Sequence, residues 1–465
     1  MFIDRLKNEF QAAEAAIDGG PIYPEASAAE IRAHLARYDF QGSVPLEQAA
    51  ADVEQMLRRW QVQVTHPRYF GLFNPSVRLA SVVADTLVAT YNPQLAAWRT
   101  SPAAIEIERH TLAWLAGKFG LPAQTAASFS SGGAEANLSA VVAALTHAFP
   151  EYGEKGLRGL PNAPVFYISA EAHHSFSKIA HMAGLGRDAL RTIPTSRDLK
   201  MDVSAMAAQV AQDRQRGLAP FLVVGTAGTT AAGIIDPLPE LAQFCRDEQL
   251  WLHVDAAWGG AAILSPSLRS HLSGIEHADS ITCDAHKWLS VAMGCGMFFC
   301  RHPETVARAF RAEASYMPEK AGADTQDPYT HSVQWSRRFA GLKLFLTLAE
   351  QGEEGQAAAI ERQAAMGNRL RERLAASGWT IVNNTPLPLV CFTRDGLDLH
   401  AFLESLSERQ IAWMSEARLG NASVVRACIT SFKTTEADVD QVVEQITRVA
   451  AEQKPGRLAP VARCR

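Results

Sequence analysis

Apolar residues recur at every third or fourth position along Ala28–Tyr38 and again along Leu46–Trp60, and that spacing predicts two amphipathic helices. Residues 1–75 read as helical and then extended, with no strand pattern of their own. Such a prefix is expected to pack on something else, a second subunit being the candidate. A further helix opens at Ser101-Pro102, where serine suits a cap and proline the first turn. Ile105, Leu112, Leu115 and Phe119 share one face of it, and Gly120 ends it.

Beyond that helix the period changes. Short, continuous apolar runs occur at Val165–Ser169, Phe221–Gly225, Trp251–Asp255, Ser280–Cys283 and Met297–Cys300, with helical stretches such as Val203–Gln215 and Leu238–Glu248 between most of them. Strands apolar on both faces, alternating with helices, predict an α/β fold with a mostly parallel central sheet covered by helices. From about residue 340 the texture shifts again. A long helix, Gln356–Ala376, leads to short strands near Trp379–Val382, Leu389–Phe392 and Val424–Ile429, and a last helix runs through Glu436–Ala451. This reads as a smaller C-terminal α+β domain, so the expected division is 1–75, 76–339 and 340–465, with a loosely ordered tail from Lys454.

Composition narrows the possibilities. At 465 residues, 47% apolar and a formal net charge of −5, the chain is long enough for more than one core. It has no charge excess that predicts binding to nucleic acid or to an anionic membrane. No apolar stretch approaches the roughly 18 residues a membrane-spanning helix needs, and the charged start lacks the apolar core of a secretory signal. The seven cysteines are irregularly spaced, which suits buried thiols in a reducing cytoplasm.

Four segments carry candidate chemistry. In Trp251–Gly260 the carboxylate of Asp255 ends an apolar strand, where it needs a partner; a cationic ring nitrogen is one. In Asp284-Ala285-His286-Lys287-Trp288 the amine of Lys287 lies just past another strand and beside an aromatic ring, a setting that favours Schiff-base chemistry. Both lie at the strand ends where open α/β sheets bind ligands. Ser130-Ser131-Gly132-Gly133-Ala134-Glu135-Ala136-Asn137 opens a helix whose first amides can receive a phosphate. Ala172-His173-His174-Ser175 supplies an imidazole that can stack on a ring, while two adjacent histidines without a third ligand make a poor metal site. Gly225–Thr230, including Thr229, fails the GxGxxG pattern, so it gives little support to a dinucleotide, but its hydroxyls suit a pocket floor.

Together with His66–Gly71, Trp98–Ala104, Arg337–Phe339 and Arg426, these segments resemble the group II pyridoxal-phosphate-dependent amino acid decarboxylases. The resemblance covers most of the chain. It implies the aspartate-aminotransferase-like type I fold, a homodimer with active sites near the subunit interface, and pyridoxal 5′-phosphate as cofactor. It also implies roles. Lys287 holds the cofactor aldehyde, Asp255 pairs with the ring nitrogen, and His173 and Ala257 cover the two ring faces. Gly133 and Ala134 offer amides to the phosphate, with His286 close to it, and Thr229 is counted among the cofactor-binding residues. Tyr329, on a loop of mobile composition, protonates the substrate carbon. Phe73, Asn74 and Arg426 meet the substrate. Two departures stand out. Ala134 replaces a common serine or threonine, for which Ser130 or Ser131 are substitutes, and Ser290–Gly296 lacks the commoner proline.

The expected reaction is decarboxylation of an L-amino acid to the amine and carbon dioxide. An aldehyde synthase, aminotransferase or carbon–carbon lyase on the same fold is the alternative, and Tyr329 favours plain decarboxylation. The substrate side chain stays open, since Phe73 and Trp98 suit an aromatic group and Asn74 and Asn92 a polar one.

Overall fold

The apolar runs fold as strands. In a computed structural model that describes residues 2–24, 26–73, 75–312, 314–318, 320–322 and 324–453, β1 (Ala126–Ser130), β2 (Pro164–Ser169), β3 (Leu190–Ile193), β4 (Ala219–Thr226), β5 (Trp251–Asp255), β6 (Ser280–Asp284) and β7 (Gly296–Cys300) form one sheet in the order β1-β7-β6-β5-β4-β2-β3. Neighbours from β3 through β6 are parallel, and β7 is antiparallel to both β6 and β1. Every residue of β2, β5, β6 and β7 is buried, as strands covered on both faces require. The helix Gly133–Ala148 packs its small face, Ala136, Ala140 and Ala144, into a cluster with Phe166, Phe176 and Phe221. Each such phenylalanine, fully removed from water, contributes about 1.5–3 kcal/mol before entropy is set against it.

The chain divides into two compact units. One is Val77–Ala365 with Asn383–Leu389 and holds this sheet; the other is Met1–Ser76, Met366–Val382 and Val390–Arg465. In the second, β8 (Thr380–Ile381), β9 (Leu389–Thr393), β10 (Ser415–Leu419) and β11 (Ala422–Cys428) order as β10-β11-β9-β8 around a core of Phe392, Phe402, Val425, Val442 and Ile446. Phe70 is threaded into that unit by its backbone, donating to Trp413 O (2.9 Å) and accepting from Cys428 N–H (2.9 Å).

Leu46–Trp60 and Val203–Gln215 are helices over the expected spans. Other elements differ. β1, β3, β10 and the helix Leu399–Glu408 lie where the pattern showed none. Gly341–Ala376 is two helices broken at Gly352, whose φ of +64° and extended ψ end the first; the expected helix Gln356–Ala376 lies in the second, and the first was not expected. Ser101 is the N-cap by position, but its hydroxyl donates to Gln94 O at 2.9 Å instead of capping an amide. Asn74 and the tail from Lys454 lie outside the described residues.

Candidate active site

The carboxyl ends of β4, β5 and β6 set the site. Thr226 pairs in register with Asp255, and Asp255 with Thr282, so the sheet places Thr226, Asp255 and Asp284 on adjoining strand ends. Asp255 is 5% exposed. Its Oδ2 accepts from Asn137 Nδ2 (2.9 Å) and its Oδ1 from the amide of Ala257 (3.1 Å). Both donors are neutral, so the expected cationic partner is not supplied by these hydrogen bonds and the charge remains for a ligand.

Asn137 is itself held. His253 Nε2 lies 3.0 Å from Asn137 Oδ1, His253 Nδ1 lies 2.9 Å from Ser280 Oγ, and Trp251 Nε1 donates to Ser280 Oγ at 2.9 Å. Indole N–H is a donor only, so Ser280 Oγ accepts it, and His253 Nδ1 lies against both Ser280 Oγ and Ser280 O (3.2 Å). Asn137 gives its NH₂ to Asp255 and so turns its carbonyl to Nε2 of the neutral imidazole. Burial lowers the His253 pKa to about 4, which keeps the ring in that neutral form. Neither His253 nor Asn137 was assigned a role from the sequence. The spacing within one strand and one helix gives no sign that they meet.

Lys287 follows β6 and stands 3.1 Å from Asp284 Oδ2. Its backbone is pinned. Lys287 N–H donates to Asp284 O (3.2 Å), and Ser290 N–H to Lys287 O (3.1 Å). The next residue, Trp288, is buried, stacks on Trp258 (5.5 Å between ring centroids) and donates to Gln363 Oε1 (2.6 Å). The proline-free stretch beyond it is fixed by Lys343, whose buried ammonium donates to Met293 O (2.6 Å) and Gly294 O (3.3 Å).

Asp284 Oδ2 also accepts the Gly133 amide at 3.1 Å and lies 3.7 Å from His286 Nε2, while Asp284 Oδ1 is buried without a hydrogen-bond partner. A side chain on Gly133 would bring its Cβ within 3.0 Å of Asp284 Oδ2 and 3.1 Å of Ala257 Cβ, so only glycine keeps this helix start open. Ala134 is the second residue of the same helix. The hydroxyls of Ser130 and Ser131 already donate, to Gly132 O (3.1 Å) and Glu135 Oε2 (2.6 Å). His286 accepts the Cys295 amide on Nδ1 (3.1 Å), and burial lowers its pKa.

His173 presents a solvent-accessible ring after β2, and its Nδ1 accepts Ser175 N–H at 3.2 Å. Desolvation by the surrounding cleft lowers its pKa, opposed by the charge of Asp255 and reinforced by that of Lys287. Thr229 is buried and engaged in its own turn, with Oγ1 accepting Ile234 N–H at 3.0 Å. Tyr329 sits in the short helical turn Pro328–Thr330, its amide on Ala96 O (3.2 Å) and its ring 4.8 Å from that of Trp335. In the other unit Phe73 and Arg426 come together, the guanidinium 5.0 Å over the phenyl ring and Nη1 donating to Gly71 O (2.8 Å).

A strand-end lysine with a buried carboxylate beside it, a second carboxylate at the neighbouring strand end, a glycine-opened helix start and an open imidazole face match what pyridoxal phosphate requires: an amine for its aldehyde, an acid for its ring nitrogen, amides for its phosphate and a planar face. The unpartnered Asp284 Oδ1 and Thr226 Oγ1 add buried polar atoms still lacking partners at the same strand ends. This is the α/β class of pyridoxal-phosphate enzymes. Residues 35–394 match the pyridoxal-dependent decarboxylase conserved domain, and the chain belongs to that family.

Its relatives include the aromatic-L-amino-acid decarboxylase of Bacillus atrophaeus, 30% identical over 84% of this chain and 82% of that protein. The L-2,4-diaminobutyrate decarboxylase of Rhizobium meliloti is 34% identical over 71% of this chain and 66% of that one. Among solved structures, Oryza sativa TDC with PLP and tryptamine superposes with a TM-score of 0.91 at 24% identity, covering 97% of each chain. The fold is therefore that of the pyridoxal-phosphate decarboxylases, and the reaction is pyridoxal-phosphate-dependent decarboxylation of an amino acid.

Proposed function

We propose that the strand-end cleft converts an L-amino acid to the corresponding amine, with Lys287, Asp255, His173 and Tyr329 as its working groups. The observation that carries this reading is the placement of Lys287 3.1 Å from the buried Asp284, with Asp255 at the neighbouring strand end held by the neutral donors Asn137 and Ala257. Bound pyridoxal phosphate supplies the electron sink for the pair left when carbon dioxide departs. Lys287 is the group that holds the cofactor aldehyde, and Asp284 keeps a counter-charge beside its amine whenever that amine is free. Asp255, locked by Asn137 and Ala257, faces the ring nitrogen and keeps it protonated. His173 offers its open face to the ring on one side and Ala257 its methyl on the other. The first-turn amides of Gly133 and Ala134, with His286, receive the phosphate, and Thr229 shapes the floor. Tyr329 delivers the proton to the substrate α-carbon, which makes the product an amine.

Phe73, Asn74 and Arg426 are assigned to the substrate by family resemblance, and the Arg426–Phe73 stack supports treating two of them as one cluster. The homodimer is supported by the prefix. The helix Leu46–Trp60 buries no residue, and Leu46, Val53 and Leu57 stay exposed on it, an apolar stripe suited to a second subunit. This makes the exposed stripe within residues 1–75 the part that meets the partner, while the prefix belongs to the same unit as the C-terminal strands and the helical residues up to Ala365 belong with the cofactor domain. A cytoplasmic location is supported by six buried free thiols among the described residues.

The test is to reduce the holoenzyme with borohydride, map the adduct, and assay aromatic, acidic and diamino acids for carbon dioxide and amine. An adduct on Lys287 and one amine formed per carbon dioxide are expected. An adduct on another lysine, or release of aldehyde in place of amine by the unaltered enzyme, overturns the reading.

A further inference from the structure

Away from Lys287, the sheet-bearing unit holds a cavity of about 470 Å³ between the helix Pro102–Lys118, β1 and the turn that carries Tyr329. Its polar wall has donors without acceptors. Arg337 lines it through a side chain only 5% exposed. Arg337 Nη2 donates to Glu108 Oε2 at 2.5 Å, but Nε and Nη1 are buried with no partner. Thr125 Oγ1, also in the wall, is buried and unpartnered as well. A buried donor left unpaired costs about 1–3 kcal/mol, more when charged, so a wall with three of them favours a ligand rich in acceptors.

The charge of that ligand follows from the carboxylates. Glu108 is satisfied by Arg337 and by Gly341 N–H (3.0 Å), and Glu106 by Trp98 Nε1 (2.9 Å) and Arg109 Nε (2.9 Å). Each acid is already matched by one arginine, so what stays open is the N–H face of the Arg337 guanidinium and the Thr125 hydroxyl. A single carboxylate meets that face with two acceptor oxygens and adds the least charge an anion can bring beside Glu108. Ile105, Leu112, Ala127 and Pro328 in the same wall give its carbon skeleton an apolar bed.

We propose that this cavity binds a small organic monocarboxylate, and that the bound acid braces the Tyr329 turn against the rest of the unit. Gln326, Pro328 and His331 line the cavity on either side of Tyr329, and Asp327 Oδ1 accepts Trp98 N–H at 2.7 Å. A ligand held by Arg337 and Thr125 therefore touches both walls and slows opening of the segment between them.

The experiment uses phenylacetate on the holoenzyme, with calorimetry for binding and trypsin cleavage after Lys320 for the segment. Saturable binding is expected, weakened at least fivefold by Thr125→Val and abolished by Arg337→Lys, with cleavage slowed severalfold at saturation in the unaltered protein. Thr125→Val removes only a hydroxyl, so it keeps the test valid where Arg337→Lys fails to fold. Borohydride-reduced holoenzyme must bind phenylacetate equally well, because the cavity is not the cofactor cleft. No saturable binding, binding indifferent to Thr125→Val, or binding lost on reduction of the cofactor each overturns the proposal.

Discussion

Asn137 donates to Asp255 across 2.9 Å, and it can do so only because His253 holds the other end of its amide. An asparagine with its carbonyl unclaimed could turn either way and set oxygen against the carboxylate. The contacts of His253 with Ser280 and with the Asn137 carbonyl limit that freedom, so that Asn137 presents its NH₂ to Asp255. Asn137→Leu leaves His253 Nε2 and Asp255 Oδ2 without this partner. A stability loss of about 1–3 kcal/mol for each group so orphaned is expected from urea unfolding, together with weaker cofactor binding by fluorescence titration. Unchanged cofactor affinity in a folded variant would show that Asp255 is oriented by Ala257 alone.

Asp284 gives a second prediction. Its carboxylate occupies the Gly133 amide where a phosphate is expected, so phosphate binding sets two anions close together. Asp284→Asn keeps an acceptor for the amide and removes the charge. The variant is expected to bind pyridoxal phosphate about tenfold more tightly, or roughly 1.4 kcal/mol, while its affinity for pyridoxal, which lacks the phosphate, moves much less. Equal changes for the two compounds would mean that Asp284 acts on Lys287 rather than on the phosphate.

His253 makes stability depend on pH in a predictable window. Its folded pKa of about 4 lies below the ordinary value of 6.5, because burial disfavours the charged ring. Above 6.5 the ring is neutral folded or unfolded, and its contribution is flat. Between 6.5 and 4 the unfolded chain takes a proton that the native state refuses, so stability falls as pH falls, and below 4 the loss levels off. From pH 7 to pH 5 this amounts to roughly 2 kcal/mol. His253→Gln, which retains an N–H for Asn137, should lose that much less over the same interval. Parallel curves for the two proteins in urea would assign the acid sensitivity elsewhere.

How much of this was legible in the sequence depends on distance along the chain. Lys287 and Asp255 could be read because each closes an apolar run, and a polar group at the end of a buried strand announces itself. Trp251–Asp255 is a strand over the expected span for the same reason. β1 escaped because Ala126-Ala127-Ser128-Phe129-Ser130 holds one large apolar residue, and its place is set by pairing with β7. Asn137 against Asp255, Asp284 against Gly133 and Arg337 against Glu108 join residues more than a hundred positions apart. No periodicity encodes such pairs, since they exist only once the sheet has ordered its strands.

Tyr329 is the proposed proton donor, and its substitution tests what leaves the enzyme. Its ring rests on Trp335 at 4.8 Å, and its backbone is tied to Ala96, so the phenol is carried by a turn with defined anchors rather than by a free loop. A phenol brought over the cleft can give its proton to the substrate carbon, and a positioned acid of this kind is worth about 10²–10⁴-fold in rate. Tyr329→Phe keeps the ring, and with it the Trp335 contact, while removing the hydroxyl that carries the proton. Carbon dioxide release should continue in this variant. Amine formation should fall by about two orders of magnitude or more, with aldehyde, ammonia and hydrogen peroxide appearing in its place, because without a proton donor the electron pair left by carbon dioxide would pass to oxygen and water would supply the aldehyde oxygen. Carbon dioxide, amine, aldehyde and ammonia must be measured on the same sample, since amine loss alone does not separate a missing acid from a damaged site. If amine continues to match carbon dioxide at an unchanged rate, the proton comes from another group, and His173, whose ring is open to the same cleft, is the next to substitute.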